Sequence, residues 1–111
     1  DKTAERDYIH ISDLVDGHFA GVQYLAKMSG CHSVNLGTGK PTSVLELIRK
    51  FENVNNVKIP FSFDKRRKGD SPFVVADNSL AIKILNWKPK KNIDDACRDG
   101  WNWQLKNPTG Y

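Results

Sequence analysis

The fold class follows from the stretch Ser33-Val34-Asn35-Leu36-Gly37-Thr38-Gly39-Lys40-Pro41-Thr42-Ser43-Val44-Leu45-Glu46. Its first four residues have the composition of a short β-strand, and Gly37–Gly39 is typical of a tight turn directly after it. Ser43 and Glu46 then give the Ser-x-x-Glu pattern of a helix N-terminus, in which each side chain can accept a bond from a backbone amide. A strand, a turn and a helix in succession predict an α/β fold.

The same alternation continues on both sides of this stretch. Further strands are predicted at Tyr8–Ile11 and Ile59–Phe63, where β-forming side chains cluster. Helices are predicted in four places: after Ser12 or Asp13 and ended by Gly30, from Ser43, from about Asn78 to Leu85, and from Asn92 until Pro108. The last helix is expected to direct its apolar side chains inward, namely Ile93, Ala96, Cys97, Trp101 and Leu105.

The predicted strands are too few to form a sheet of ordinary size. If the first two strands are parallel, their sheet neighbours lie outside these 111 residues. The first residue is Asp1 rather than an initiator Met. We therefore expect residues 1–111 to form a single partial domain of a longer protein.

Composition limits the class of protein. With 39% hydrophobic and 27% charged residues, the chain is typical of globular proteins and unlike disordered, fibrous or membrane proteins. The net charge of +4 suits an anionic ligand but is a modest excess for nucleic-acid binding. Cys31 and Cys97 suggest neither a disulfide framework nor a metal site, so we expect a cytoplasmic setting with both thiols packed.

A basic loop is the first candidate binding site. Lys65, Arg66, Arg67 and Lys68 precede Gly69-Asp70. An Arg fork can bind a phosphate through two hydrogen bonds, and an ionised Asp accepts hydrogen bonds from neighbouring sugar hydroxyls. This order of residues therefore suits a phosphate joined to a ribose, as in a nucleotide. A solvated charged loop is the alternative, and the spacing alone does not exclude it.

The predicted first strand is the second candidate. Because side chains alternate along a strand, Arg6, Tyr8 and His10 are expected on one face, where an Arg beside a Tyr hydroxyl could bind phosphate. The alternative is an edge strand whose polar face contacts water.

Other motifs do not form a recognisable site. Gly37–Lys40 lacks the spacing of a phosphate-binding Walker loop, and Pro41 stands where that loop has Ser or Thr. Trp101 and Trp103 could stack on nucleic-acid bases, although core packing explains Trp101 more simply. We identify no catalytic residues, no metal ligands and no glycine-rich fingerprint of a dinucleotide-binding site.

Taken together, six segments resemble the UDP-galactose 4-epimerases, a family of extended short-chain dehydrogenase/reductases. The resemblance covers essentially the whole chain, in the order of the C-terminal third of those enzymes. The basic loop and the last two segments are the most particular to the family. The segments are Arg6–Leu14 with Gly17-His18, Asn35–Gly39, Arg66–Asp70, Leu85–Trp87, Trp101–Gln104 and Asn107–Tyr111.

The resemblance implies a substrate-binding role for six residues. Arg6 would contact the diphosphate of a UDP-hexose, and Tyr8 would lie beside it. Arg67 would bind the phosphates from the other side, while Asp70 would hold the ribose hydroxyls. The loop between them would be shaped by Lys68 and Gly69.

The resemblance also implies an architecture and an activity. Such enzymes interconvert UDP-galactose and UDP-glucose through a 4-keto intermediate, using NAD held by an N-terminal Rossmann domain that also carries the catalytic residues. This chain would then be the UDP-sugar-binding C-terminal part, inactive alone, with residues 1–41 packing on the Rossmann sheet. The complete protein would be a homodimer that needs neither nucleic acid nor a membrane. The alternatives are another nucleotide-sugar epimerase or dehydratase of the same superfamily, and a separate basic module that binds nucleic acid.

Overall fold

The computed structural model describes residues 1–111, which form four helices and one small sheet. In chain order the elements are β1 Glu5–Arg6, α1 Ile11–Lys27, β2 Thr42–Ser43, α2 Val44–Asn55, β3 Phe73–Val74, α3 Ser79–Leu85 and α4 Ile93–Lys106. The sheet has the strand order β2-β1-β3, with β1 antiparallel to β2 and parallel to β3. The α/β class expected from the sequence is confirmed.

The central strand places Arg6 between the two outer strands. Arg6 lies opposite Thr42 of β2 and opposite Val74 of β3, and Glu5 lies opposite Ser43 and Phe73 in the same way. Backbone bonds on both sides therefore fix the backbone that carries the Arg6 side chain.

The three predicted strands do not form. Tyr8–Ile11, Ser33–Leu36 and Ile59–Phe63 have no strand partner, and α1 already begins at Ile11. A strand persists only when its amide and carbonyl groups pair with a neighbour, and local sequence composition does not reveal whether such a neighbour exists. The strands that do form were missed because each is only two residues long.

Helix boundaries agree better with the sequence. Ser43 begins α2, and its side chain accepts a hydrogen bond of 3.1 Å from the Glu46 amide. Asn92 begins α4 with a complete capping box that it forms with Asp95. The predicted N-cap of α1, Ser12 or Asp13, is wrong. The N-cap is His10, whose imidazole accepts a hydrogen bond from the Ser12 amide.

The helices pack in two pairs, α2 with α4 and α1 with α3. Between α2 and α4, the rings of Phe51 and Trp101 meet edge to face with centroids 5.7 Å apart. Cys97 is buried on the same side of α4, whereas Leu105 is 60% exposed, so its predicted inward position is wrong. The Trp101 ring is therefore used in packing rather than presented for base stacking.

Three hydrogen bonds join α1 to the segment between α3 and α4. The buried Trp87, after α3, donates from its indole nitrogen to the Asp13 carbonyl of α1 at 2.9 Å. The buried Asp13 carboxylate accepts from the amides of Lys90 and Lys91. These bonds fix the connection between α3 and α4 against the first turn of α1.

The chain leaves much apolar surface uncovered. Its radius of gyration is 16.6 Å, whereas a closed domain of this length has about 13 Å. One face of α1 carries an exposed apolar stripe, formed by Ile11, Val15, Phe19, Val22 and Leu25. Cys31 is exposed as well, so only Cys97 meets the expectation that both thiols are packed. None of the helices combines the length and the apolar character that a membrane-spanning segment requires.

Candidate functional site

The candidate site is built around the Asp70 carboxylate. One terminal nitrogen of Arg6 donates to Asp70 Oδ1 at 2.7 Å, and Arg67 approaches Asp70 Oδ2 at 3.5 Å. The Arg6 and Asp70 side chains are 27% and 31% exposed, whereas that of Arg67 is 87% exposed. A largely covered ion pair is therefore extended into solvent by a second, exposed cation.

A tight turn brings the second cation to this carboxylate. The Asp70 amide donates to the Arg67 carbonyl at 3.2 Å, which closes the loop over Lys68 and Gly69. Gly69 has φ +84°, in the left-handed region that a residue with a side chain rarely adopts. Glycine at this position therefore permits the turn that sets Arg67 and Asp70 side by side.

The rest of the basic loop is solvated. Lys65, Arg66 and Lys68 are exposed, and none of their side chains takes part in an ion pair. The solvated-loop alternative thus describes these three residues, while Arg67 alone of the four basic side chains contacts Asp70. Arg66 lines the same cavity as Arg67, but Arg67 is the loop cation that shares the Asp70 carboxylate with Arg6.

A cavity of about 380 Å³ opens beside this cluster. Its wall includes Arg67 and Asp70 on one side and Leu45 of α2 on another. Phe61 and Phe63 also line the cavity, with their rings edge to face and the ring centroids 5.7 Å apart. Phe61 is 50% exposed and Phe63 is 71% exposed. The arginines in this wall are Arg66 and Arg67, whereas Arg6 lines a separate hollow with Asp7. Aromatic faces next to such cations suit a flat ring attached to a phosphate.

Tyr8 is not brought to this cavity. It lines a separate hollow with Thr38, Lys40 and Lys91. The prediction that Arg6, Tyr8 and His10 share one strand face is wrong, because β1 ends at Arg6 and the alternation of side chains stops there.

His10 has a structural use instead. Its ring is buried, with one nitrogen accepting from the Ser12 amide and the other 2.7 Å from an Asp99 carboxylate oxygen on α4. Both ring nitrogens are thus engaged within the chain, which leaves His10 no free position for a ligand.

Asp7 is the important residue that sequence reasoning missed. Its carboxylate accepts four hydrogen bonds, from the Thr38 amide and hydroxyl and from the Gly39 and Ala76 amides. Burial raises the pKa of Asp7, but these bonds together outweigh it and hold the pKa below its ordinary value of 3.8. Asp7 therefore binds the turn at Thr38–Gly39 and the segment at Ala76 next to Arg6. No pattern in the neighbouring sequence predicts this role.

The arrangement is suited to binding rather than to bond-making. Two guanidinium groups can bind phosphate oxygens, and the carboxylate between them can accept from hydroxyl groups. No group of three or more His, Cys, Asp or Glu side chains lies close enough together to hold a metal ion. The chemistry of the site is thus that of an anion joined to a polyol.

Known proteins of similar sequence are UDP-sugar epimerases. UDP-glucose 4-epimerase 2 of Oryza sativa subsp. japonica is 51% identical over 113 residues, which cover 100% of this chain and 28% of that protein. The bifunctional UDP-glucose 4-epimerase and UDP-xylose 4-epimerase 3 of Arabidopsis thaliana is 49% identical over 113 residues, covering 100% of this chain and 32% of that protein. No protein-family model matches the chain.

Solved structures agree with these relatives. UDP-glucose 4-epimerase from Bifidobacterium longum, in complex with NAD+ and UDP, superposes with a TM-score of 0.91 at 43% identity, covering 98% of this chain and 32% of that one. The enzyme from Stenotrophomonas maltophila, with bound NAD and formylated UDP-arabinopyranose, gives a TM-score of 0.90 at 43% identity, covering 94% and 31%.

The resemblance inferred from the six segments is confirmed, and it extends over the whole chain. The chain spans between 28% and 32% of the length of these curated relatives and corresponds to a C-terminal part of them.

Proposed function

We propose that this chain is the UDP-binding, C-terminal part of a UDP-glucose 4-epimerase, an isomerase that interconverts UDP-galactose and UDP-glucose. The observation that carries the proposal is the convergence of Arg6 and Arg67 on Asp70, whose side chain lines a cavity together with that of Arg67. It is supported by the similarity of the whole chain to UDP-glucose 4-epimerases.

In this proposal UDP lies across the two cations. Arg6 and Arg67 bind the diphosphate from opposite sides, and the Asp70 carboxylate accepts from the ribose hydroxyls. The turn through Lys68 and Gly69 sets the distance between the loop cation and the carboxylate, as the positive φ of Gly69 supports. Tyr8, two residues after Arg6, keeps in this proposal the place beside the diphosphate that the resemblance implies, although it lines a hollow separate from the cavity of Arg67.

The NAD cofactor and the catalytic residues belong to the N-terminal part of the complete enzyme. The turn at Gly37 does not fit NAD: a Cβ at Gly37 would lie 2.5 Å from the Ala76 Cβ and 2.7 Å from an Asp7 oxygen. The Thr38 and Gly39 amides of this turn already donate to the Asp7 carboxylate, so they are not free to bind a pyrophosphate. The role of the 111 residues is to bind and orient UDP-hexose, without activity of their own.

The remaining partner is the N-terminal Rossmann domain itself. We assign residues 1–41 to contact with its sheet, and the exposed apolar stripe of α1 supports this. The curated relatives are about three times as long as this chain. The rest of such a protein is therefore long enough to cover the apolar stripe of α1. The proposal also includes a homodimeric complete enzyme, which the family resemblance implies. It places that enzyme in the cytoplasm, a reducing setting that agrees with the unpaired Cys31 and Cys97.

The proposal is tested by Arg67→Ala in the complete enzyme. We expect the dissociation constant for UDP to rise at least about tenfold, because a charge-assisted bond to phosphate contributes about 1.5–3 kcal/mol. Isothermal titration calorimetry measures it. Arg98→Ala is the matched control, since Arg98 also pairs with a carboxylate three residues away but lies on α4. Equal affinities in wild type and Arg67→Ala would remove the assignment.

Product analysis separates the epimerase from its relatives. A 4-epimerase supplied with UDP-galactose forms UDP-glucose without net oxidation, whereas a dehydratase or decarboxylase forms a product of different mass. Nuclear magnetic resonance of the sugar product distinguishes these reactions. Formation of a dehydrated product would contradict the proposed activity while leaving the UDP site intact.

A further inference from the structure

The connection between β1 and α1 holds Tyr8 between two anchored residues. The Asp7 carboxylate accepts four hydrogen bonds, and His10 is the N-cap of α1. Tyr8 belongs to neither element, and its backbone makes no hydrogen bond to another backbone group. The position of the Tyr8 side chain is therefore set by the anchors on its two sides.

The second anchor is a buried imidazole that reaches α4. His10 Nδ1 accepts from the Ser12 amide at 3.0 Å, so the proton of the neutral ring is on Nε2. Nε2 lies 2.7 Å from Asp99 Oδ2 and donates to it. The His10 side chain is only 5% exposed, whereas that of Asp99 is 50% exposed. The ring thus has one orientation, and its bond to Asp99 ties the start of α1 to a helix 89 positions away.

Loss of the Asp99 oxygen would be felt along this connection. The buried Nε2–H would have no acceptor, and the ring would have to move towards water to find one. Only Ile9 separates His10 from Tyr8, so a movement of the ring displaces Tyr8 as well. Asp99 itself lines neither the cavity of Arg67 nor the hollow of Tyr8, so it is not placed to touch a ligand in either.

We propose that Asp99 is a positioning residue that acts through His10 and holds Tyr8 where it can contact the anionic ligand. The inference rests on the proposed function, because that function gives Tyr8 its place beside the diphosphate. A contact that only stabilised the fold would leave the affinity of the folded enzyme for UDP unchanged when it is removed. A positioning contact weakens UDP, and does so only while Tyr8 has a hydroxyl to place.

The experiment is a double-mutant cycle in the complete enzyme, read as the dissociation constant for UDP by isothermal titration calorimetry. We expect Asp99→Ala to raise this constant about fivefold, the effect of one misplaced hydrogen bond. In the Tyr8→Phe background the same change should alter it by less than about twofold. Equal weakening in both backgrounds, or no weakening in the wild-type background, would overturn the inference.

Two further variants of α4 separate the hydrogen bond from the charge. Asp99→Asn keeps an oxygen that can accept from Nε2–H, so its affinity for UDP should stay within about twofold of wild type. Asp94→Ala is the matched control, because Asp94 lies on the same helix, is 45% exposed and pairs with Lys50 at 3.6 Å rather than with His10. It should also change the affinity by less than about twofold. A fivefold loss in either variant would assign the effect to the charge of α4 and contradict a positioning role.

His10→Asn tests the same bond from its other end, should Asp99→Ala fail to fold. Asn is a favourable N-cap whose oxygen can accept from the Ser12 amide, but its short side chain gives up the bond to Asp99. We expect about the same fivefold weakening of UDP, and an unchanged affinity would overturn the inference. Absence of UDP binding to the wild type would instead refute the proposed function.

Discussion

At the scale of single residues, carboxylates do most of the organising. Asp70 gathers two cations, Asp13 holds two backbone amides, and Asp7 accepts four hydrogen bonds from residues up to 69 positions away. Each of them converts a local turn or strand into part of a common framework. Asp7, the neighbour of Arg6 in sequence, thus supports the backbone of the site although it is not among the residues proposed to contact the ligand.

Asp7→Asn tests this framework. An amide offers one acceptor oxygen where the carboxylate offers two, and its own amino group faces backbone amide donors. We expect the free energy of unfolding of the complete enzyme to fall by about 2 kcal/mol at pH 7. Chemical denaturation measures it. A loss below 0.5 kcal/mol, roughly the effect of an ordinary surface substitution, would contradict the role given to Asp7.

The lowered pKa of Asp7 predicts how the stability of the fold depends on pH. Because the pKa of Asp7 is lower in the folded chain than its ordinary value of 3.8, the carboxylate stabilises the fold above that value. This stability is lost as the pH falls through the folded-state pKa. Thermal unfolding between pH 5 and about pH 3 should therefore show a smaller acid-induced decrease in Asp7→Asn than in wild type. Parallel curves for the two proteins would count against the lowered pKa.

At the scale of elements, the helices are more predictable than the strands. The caps at Ser43 and Asn92 are short-range patterns, and the helices begin where these patterns place them. The strands at Tyr8–Ile11, Ser33–Leu36 and Ile59–Phe63 failed because pairing depends on residues far along the chain or outside it.

The residues of the candidate site also differ in how far the sequence predicts them. Arg67, Gly69 and Asp70 are adjacent in sequence, so their turn could be predicted, and Arg6 was identified from its motif. Asp7 was missed because its partners are 31 and 69 positions away.

The connection between α3 and α4 gives an element-scale prediction. Trp87→Phe keeps an aromatic ring but removes the indole donor to the Asp13 carbonyl. We expect the free energy of unfolding of the complete enzyme to fall by about 1–2 kcal/mol, the usual effect of a lost buried hydrogen bond and a small cavity. Urea denaturation measures it. Trp103→Phe is the control, because Trp103 is 42% exposed, and it should change stability by less than about 0.5 kcal/mol.

At the scale of the whole molecule, the main feature is the uncovered apolar face of α1. A stripe that includes Phe19, Val22 and Leu25 is more than half exposed, and only eight of 111 residues are buried. Burial of this surface against the rest of the enzyme would supply the core that the 111 residues lack. The isolated chain is thus expected to associate with itself through this stripe.

Phe19→Asp tests the stripe because its effects should be opposite in two settings. In the complete enzyme it places an unpaired charge in the proposed contact, and we expect a loss of about 3 kcal/mol in the free energy of unfolding. In the isolated chain it should reduce self-association, as measured by analytical ultracentrifugation. Gln23→Glu, an exposed position of α1 outside the stripe, should have little effect in either setting. A stable complete enzyme with Phe19→Asp would contradict the proposed packing.

The pairing of Arg6 with Asp70 has a further consequence for the order in which the protein matures. The two residues are 64 positions apart, and contacts of such long sequence separation form slowly because a large loop must close first. Arg6 also depends on strand neighbours at Thr42 and Val74, so two-thirds of the chain, the first 74 of 111 residues, must be in place before the pair is complete. Under the proposed function, a ribosome-bound chain that has not yet released Val74 lacks the completed site, so UDP binding follows the folding of this region and does not guide it.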